Sequence, residues 1–215
     1  MSSGQRIEVF IEAGSKRVFA SALDWPGWAR SGKTEDLAIA TLDDYRSRYE
    51  QVIRRAGLEP PAGDLAVTER LAGVAKLADF GALSAAAPSE GKPITAAEGH
   101  RLAALLAAAW EELESAAATA PEVLPKGPRG GGRDRDPILE HVIDAEVMHA
   151  ARLGIKLPKP AAAGNAALAG LRSAMLKALE AGIDGSASAW PPRYVVRRSG
   201  WHLLDHAWEL QDKSG

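Results

Sequence analysis

The chain has 215 residues, 46% hydrophobic and 25% charged, with a formal net charge of −2, which suits one large or two small water-soluble globular domains. Both signs are interspersed and no basic stripe stands out, so no nucleic-acid partner is expected; no apolar run has membrane-span length and no signal-peptide pattern opens the chain, so no membrane partner and a cytoplasmic location are expected. Cysteine is absent, which excludes disulfides, thiolate ligands and a cysteine nucleophile; thiol chemistry would need a thiol brought in as co-substrate.

Ile7, Val9 and Ile11 alternate with Glu8, Phe10 and Glu12, predicting a strand. Gly14-Ser15 turns the chain into a second strand over 17–24, and Trp25-Pro26-Gly27-Trp28 turns it again towards a short extended piece over 28–31. Trp25 and Trp28 read either as closing a small core or as lining a ligand surface. Thr34 caps a helix with Glu35 and Asp36 in its first turn. Leu37, Ala38, Leu42, Tyr45, Tyr49, Val52 and Ile53 keep helical spacing until Gly57 and Pro60-Pro61 stop it. A returning strand is expected over 65–71. The stretch 72–92 has no period and reads as an irregular connection.

Thr95-Ala96-Ala97-Glu98 is a capping-box pattern opening a long helix with Leu102, Leu105, Leu106, Ala109, Trp110 and Leu113 on one stripe, ended by Pro121. The loop from Lys126 to Arg133 is not a Walker motif, because Arg133-Asp134 stands where Lys-Ser or Lys-Thr is needed. With Lys126, Arg129, Arg133 and four glycines, it either holds an anionic substrate group or is a flexible connection. Asp136-Pro137 predicts an N-cap and first position of the next helix, whose inward stripe is Ile138, His141, Val142, Ala145, Met148 and His149. Asn165 can cap a third helix carrying Leu168, Leu171, Met175, Leu176 and Leu179, and Pro191-Pro192 start the last. Four amphipathic helices predict a four-helix bundle.

His202 and His206 stand four apart, which stacks both imidazoles on one face of the last helix. Val196, Leu203 and Leu210 flank them on one side and Tyr194, Trp201 and Trp208 on the other, while Arg197 and Gln211 fall opposite. Buried neutral imidazoles need a partner for each ring nitrogen. Either a divalent metal takes one nitrogen from each ring, or the two are core histidines bonded to backbone, Asp205 or Glu209. No Glu follows His202, so this is not a metalloprotease HExxH. His141, inward on a facing helix, adds a third imidazole, and three such ligands leave the open position of a catalytic-type site. His149, two turns and about 12 Å from His141, is expected to be structural or to line the entrance, and His100 to be exposed. Asp144, Asp205 and Glu209 each fall near the histidine face, where they either orient an imidazole, move a proton or form ordinary helix salt bridges such as Arg198–Asp205. Arg198 near the same face is a candidate for binding a substrate carboxylate.

Two resemblances follow from these residues. Leu23-Asp24-Trp25-Pro26-Gly27-Trp28, followed by Gly32-Lys33-Thr34-Glu35-Asp36-Leu37-Ala38, resembles the HicB-like fold. That family comprises antitoxins, often with a separate DNA-binding segment; no such segment is seen, so the shape carries over and the role does not. The expected role is a small module that packs against, or dimerises with, its neighbour, which leaves a homodimer open. From about Pro93 onward the chain resembles the DinB-like (YfiT-like) superfamily of four-helix metalloenzymes, carried by His141 on the second helix and the pair in Trp201-His202-Leu203-Leu204-Asp205-His206 on the fourth. The resemblance implies an α+β chain: an N-terminal β-β-(β)-α-β HicB-like module (1–75), a linker (76–92) and a C-terminal four-helix DinB-like bundle (93–215). It further implies a divalent ion, zinc or nickel, on His141, His202 and His206, which lowers the pKa of a water or thiol at neutral pH, and a thiol-dependent S-transferase or isomerase acting on a small molecule with a low-molecular-weight thiol. After the pair, Ala207-Trp208-Glu209 replaces the polar run common in the family, which leaves the substrate class open. The alternative is a non-catalytic interaction or regulatory protein with a structural or vestigial metal.

Overall fold

The computed structural model describes residues 6–73, 75–127, 132–155, 166–183 and 188–214. Arg129 and Asn165 lie outside them. Strands β1 (Arg6–Ala13), β2 (Val18–Ala22), β3 (Ala29–Gly32) and β4 (Asp64–Ala72) form one sheet in the order β3-β2-β1-β4. β1 pairs antiparallel with β2 and parallel with β4, so helices must carry the chain from β3 back across the sheet. These are α1 (Glu35–Asp44) and α2 (Arg46–Arg55), with Thr34 Oγ1 accepting from Leu37 N at the N-cap.

The single helix expected over this stretch is broken at Tyr45. Trp28 Nε1 donates to the Leu42 carbonyl at 2.8 Å, the acceptor that a continuous helix would give to the Arg46 N–H. The break lets Tyr49 stack on Trp28 with ring centroids 5.4 Å apart, while Tyr45 meets Trp208 at 5.1 Å. Trp28, only 1% exposed, therefore closes a core, and Trp25 packs beneath the Arg101 guanidinium.

Both faces of the sheet are covered. Ile7, Val9, Ile11, Ala20 and Ala22 join one hydrophobic cluster with Ala38, Leu42, Tyr49 and Ile53. On the opposite face of β1, Phe10 and Glu12 are fully buried as well. The register pairs Phe10 with Ser21 and Glu12 with Phe19, and this second face meets the last helix. Between β4 and the long helices run α3 (Ala75–Asp79) and a 3-10 turn (Pro88–Gly91), and Ala78, Leu83, Ala87 and Glu90 of this stretch are buried.

Four long helices follow: α4 (Ala96–Thr119), α5 (Arg135–Arg152), α6 (Ala166–Glu180) and α7 (Pro192–Ser214). α4 and α5 each pack against both α6 and α7. Thr95 caps α4 as its sequence suggests, with Glu98 N donating to Thr95 Oγ1; the Glu98 carboxylate instead grips Arg193 at the start of α7. α5 begins two residues earlier than the Asp-Pro pair implied, with Asp134 at the N-cap. That carboxylate accepts from Leu124 N and Lys126 Nζ and ties down the preceding loop, and Pro137 still falls within the first turn, where its missing N–H costs nothing. No helix among the described residues is long and apolar enough to cross a membrane.

α7 is buried almost all round because it lies between the sheet and the other helices. Gly200 makes this docking close: a Cβ there would stand 3.1 Å from Gly27 Cα and 3.2 Å from the Pro26 carbonyl oxygen. Arg197, which fell on the polar side of the helix by pattern, is only 1% exposed. It faces the sheet rather than water, donating Nε and Nη2 to Glu90 at 2.7 and 2.9 Å, and further bonds to Ser21 and the Ala85 carbonyl. These bonds offset the cost of taking the guanidinium out of water.

Candidate metal centre

α5 and α7 bring His141, His202 and His206 together, with one ring nitrogen from each lying within 4.8 Å of the others. His202 Nε2 and His141 Nε2 are 3.1 Å apart. Two nitrogens about 2.0–2.1 Å from a tetrahedral zinc stand about 3.3 Å from each other, so this spacing fits a shared ion. The rings meet edge to face, with centroids 4.8–5.4 Å apart.

Burial suits His202 and His141 to ligation. Burial, and then the neighbouring His206, His141, His149 and Arg198, hold His202 well below the usual imidazole range. Burial, His206 and Arg133 push His141 down as well, against the opposing pull of Asp144. Neutral imidazoles keep a lone pair for a metal. His206 Nδ1 lies 2.9 Å from Glu209 Oε2, so Nδ1–H donates to the carboxylate and Nε2 remains for an ion. Glu209 also accepts from Lys213 Nζ at 2.6 Å; its bonds to His206 and Lys213 hold its carboxyl down at about 2.

Asp205, between the two histidines of α7, is not partnered by Arg198. It binds Arg30 of β3, with Nη1 to Oδ1 at 2.6 Å. The Arg30 guanidinium lies over both the Tyr45 and Trp208 rings, at 3.9 and 4.3 Å from their centroids. Trp208 thus packs on the N-terminal part, and Trp201 likewise meets Phe19 of β2 edge on at 5.8 Å. Two aromatic neighbours of the histidines are therefore clamps on the sheet. Arg30 is the residue that sequence reasoning missed, since its partner is 175 positions away and nothing local marks it.

A cavity of about 320 Å³ opens beside the cluster. His141, His202, His206, Asp205 and Arg198 line it, and so does His149. His149 is buried to 3% exposure, its ring 6.4 Å from that of His202, and burial drives its pKa down to about 3. It is an inner wall of the cavity, not a fourth member of the cluster. Asp144 and Arg133 are exposed and do not line the cavity, although both act on His141 through their charge. His100 is exposed.

No protein-family model, curated protein or solved structure matches this chain. Three imidazoles facing a cavity, with a carboxylate behind one of them, form a donor set that matches a divalent ion of the zinc type.

Proposed function

We propose that the chain is a metal-dependent enzyme of the DinB-like type, acting on a small molecule in the cavity beside His141, His202 and His206. The observation that carries this reading is the convergence of three ring nitrogens within 4.8 Å at a cavity wall. A divalent ion on these nitrogens supplies Lewis acidity at neutral pH. The remaining roles belong to side chains of this protein. Glu209 orients the ring of His206 by accepting from Nδ1–H, which leaves Nε2 for the ion. Arg30 holds Asp205 through Oδ1 at the edge of the cavity, where the carboxylate can take up a proton from a reacting group. Without cysteine in the chain, a thiol-dependent S-transfer or isomerisation would draw its sulfur from a low-molecular-weight thiol. The HicB-like and DinB-like assignments of the two parts belong to this proposal.

A catalytic site is favoured over a purely structural one by the ligand count. Among the described residues the cluster holds three side chains and no fourth; the nearest acids are engaged, Asp205 with Arg30 and Glu209 with His206 and Lys213. Structural zinc sites close the shell with four protein ligands.

The test is elemental analysis of protein prepared without a histidine tag. Near-stoichiometric zinc, nickel or a similar ion is expected in the wild type and its loss in His202→Ala. Full retention in that variant overturns the ligand set. Consumption of low-molecular-weight thiols by the loaded protein, tested against a panel of electrophiles, then separates the transferase reading from the alternative of a non-catalytic protein.

A further inference from the structure

The cavity carries two polar groups that the metal reading leaves unused. Arg198 lies one turn before His202 on α7, about 6 Å along the axis, and lines the same cavity. Its Nη1 donates to the Tyr194 hydroxyl at 3.0 Å and its guanidinium lies 5.4 Å from the Trp190 ring, so the side chain is oriented. Among the described residues no carboxylate pairs with it. The same cavity is lined by His149, buried, with Nε2 lacking any hydrogen-bond partner. The charge of Arg198 reaches both His149 and His202. An unpaired guanidinium beside an unsatisfied buried imidazole is an arrangement that an anion completes, because leaving such groups unpartnered is costly.

We infer that the cavity takes a small carboxylate, with its carboxylate group on Arg198 and His149 and its reacting group a few bonds away at the three imidazoles. The inference rests on the metal reading above and names the substrate class of that site. With one Nη1–H of Arg198 given to Tyr194, the Nε–H and Nη2–H edge remains to pair side by side with the two oxygens of a carboxylate. Volume points the same way. A cavity of about 320 Å³ lies at the low end for ligand sites. Ala82, Ala145, Met148 and Trp201 along the wall provide an apolar lining for the short carbon chain between the two ends.

The test uses the full chain loaded with cobalt(II) and two thiol probes of equal length, mercaptopropionate and mercaptopropanol, followed by the sulfur-to-cobalt charge-transfer band. Both probes present the same thiolate; only one carries a carboxylate. The wild type is expected to bind mercaptopropionate about tenfold or more tightly than mercaptopropanol, as a charge-assisted hydrogen bond requires. The preference should vanish in Arg198→Gln, survive in part in Arg198→Lys, and shrink in His149→Phe. Cobalt stoichiometry in each variant reports that the fold and the imidazoles are intact. Equal affinities in the wild type, or a preference that persists in Arg198→Gln, overturn the inference while leaving the metal reading standing. If the wild type binds no cobalt, the metal reading falls, and titration with propionate decides the carboxylate seat through quenching of Trp190 and Trp201 fluorescence. Quenching that is lost in Arg198→Gln supports the seat; no quenching overturns it.

Discussion

His149 illustrates how burial sets chemistry one side chain at a time. Buried at 3% exposure with its pKa driven from 6.5 to about 3, it stays neutral in the folded protein while the unfolded chain protonates it. Protons therefore bind preferentially to the unfolded state, and stability falls as pH drops from 6.5 towards 3. The expected contribution is about 1.4 kcal/mol per pH unit within that window. Urea unfolding of metal-free protein at a series of pH values should show the slope reduced by about that amount in His149→Phe. Parallel slopes in the two proteins would mean that His149 accepts a proton in the folded state. The same desolvation acts on His202, and it is the physical reason that a cluster of histidines can present lone pairs rather than charges to an ion.

α4 and α6 are held together by backbone, not only by side chains. Ile94 and Ile183 exchange two hydrogen bonds, at 2.8 and 3.1 Å, just before α4 and just after α6. The approach is so close that a Cβ on Gly99 would stand 1.8 Å from the Leu179 carbonyl oxygen, whereas one on Gly170 meets nothing within 4 Å. Gly99→Ala is expected to destabilise by about 3 kcal/mol or more because backbone must separate. Gly170→Ala should stabilise by about 1 kcal/mol, since an exposed helix interior gains from alanine. Opposite shifts of the urea midpoint check the pair, and shifts of the same sign would contradict the packing. Both glycines look alike in the sequence, which marks the limit of what pattern reveals. The positions of the long helices and strands were legible because their periodicity is local: Leu102, Leu105, Leu106 and Leu113 are all buried as their spacing requires. His141 was legible for the same reason, as an inward position on its own helix. The break at Tyr45 was not, since its cause is an indole N–H arriving from 14 residues earlier in the sequence at Leu42. Arg30–Asp205 and Arg197–Glu90 span 175 and 107 positions, and no single-chain pattern encodes such partners.

Those long-range pairs make α7 a shared wall. One of its sides carries the histidines, and the other is fastened to β2 by Trp201–Phe19, to the β2–β3 turn by the Gly200–Gly27 contact and to the 3-10 turn by Arg197–Glu90. The hydrophobic cluster likewise runs without interruption from Ile7 in β1 to Leu210 in α7. An ion that binds only the folded arrangement of the three imidazoles should accordingly stabilise the N-terminal strands, though none of them contributes a ligand. At free zinc about a hundredfold above its dissociation constant, the gain is about 2.7 kcal/mol, equivalent to about a hundredfold slowing of amides that exchange through global unfolding. Hydrogen exchange resolved by segment is the appropriate measurement, with Val9 to Ile11 of β1 as the reporter and Leu105 to Ala109 of α4 as the reference. Equal slowing in both is expected when zinc is added to metal-free protein, and none in His202→Ala. If zinc slowed exchange in α5 and α7 alone, the sheet would be an independent unit, and the clamps that tie it to α7 would hold position without sharing stability.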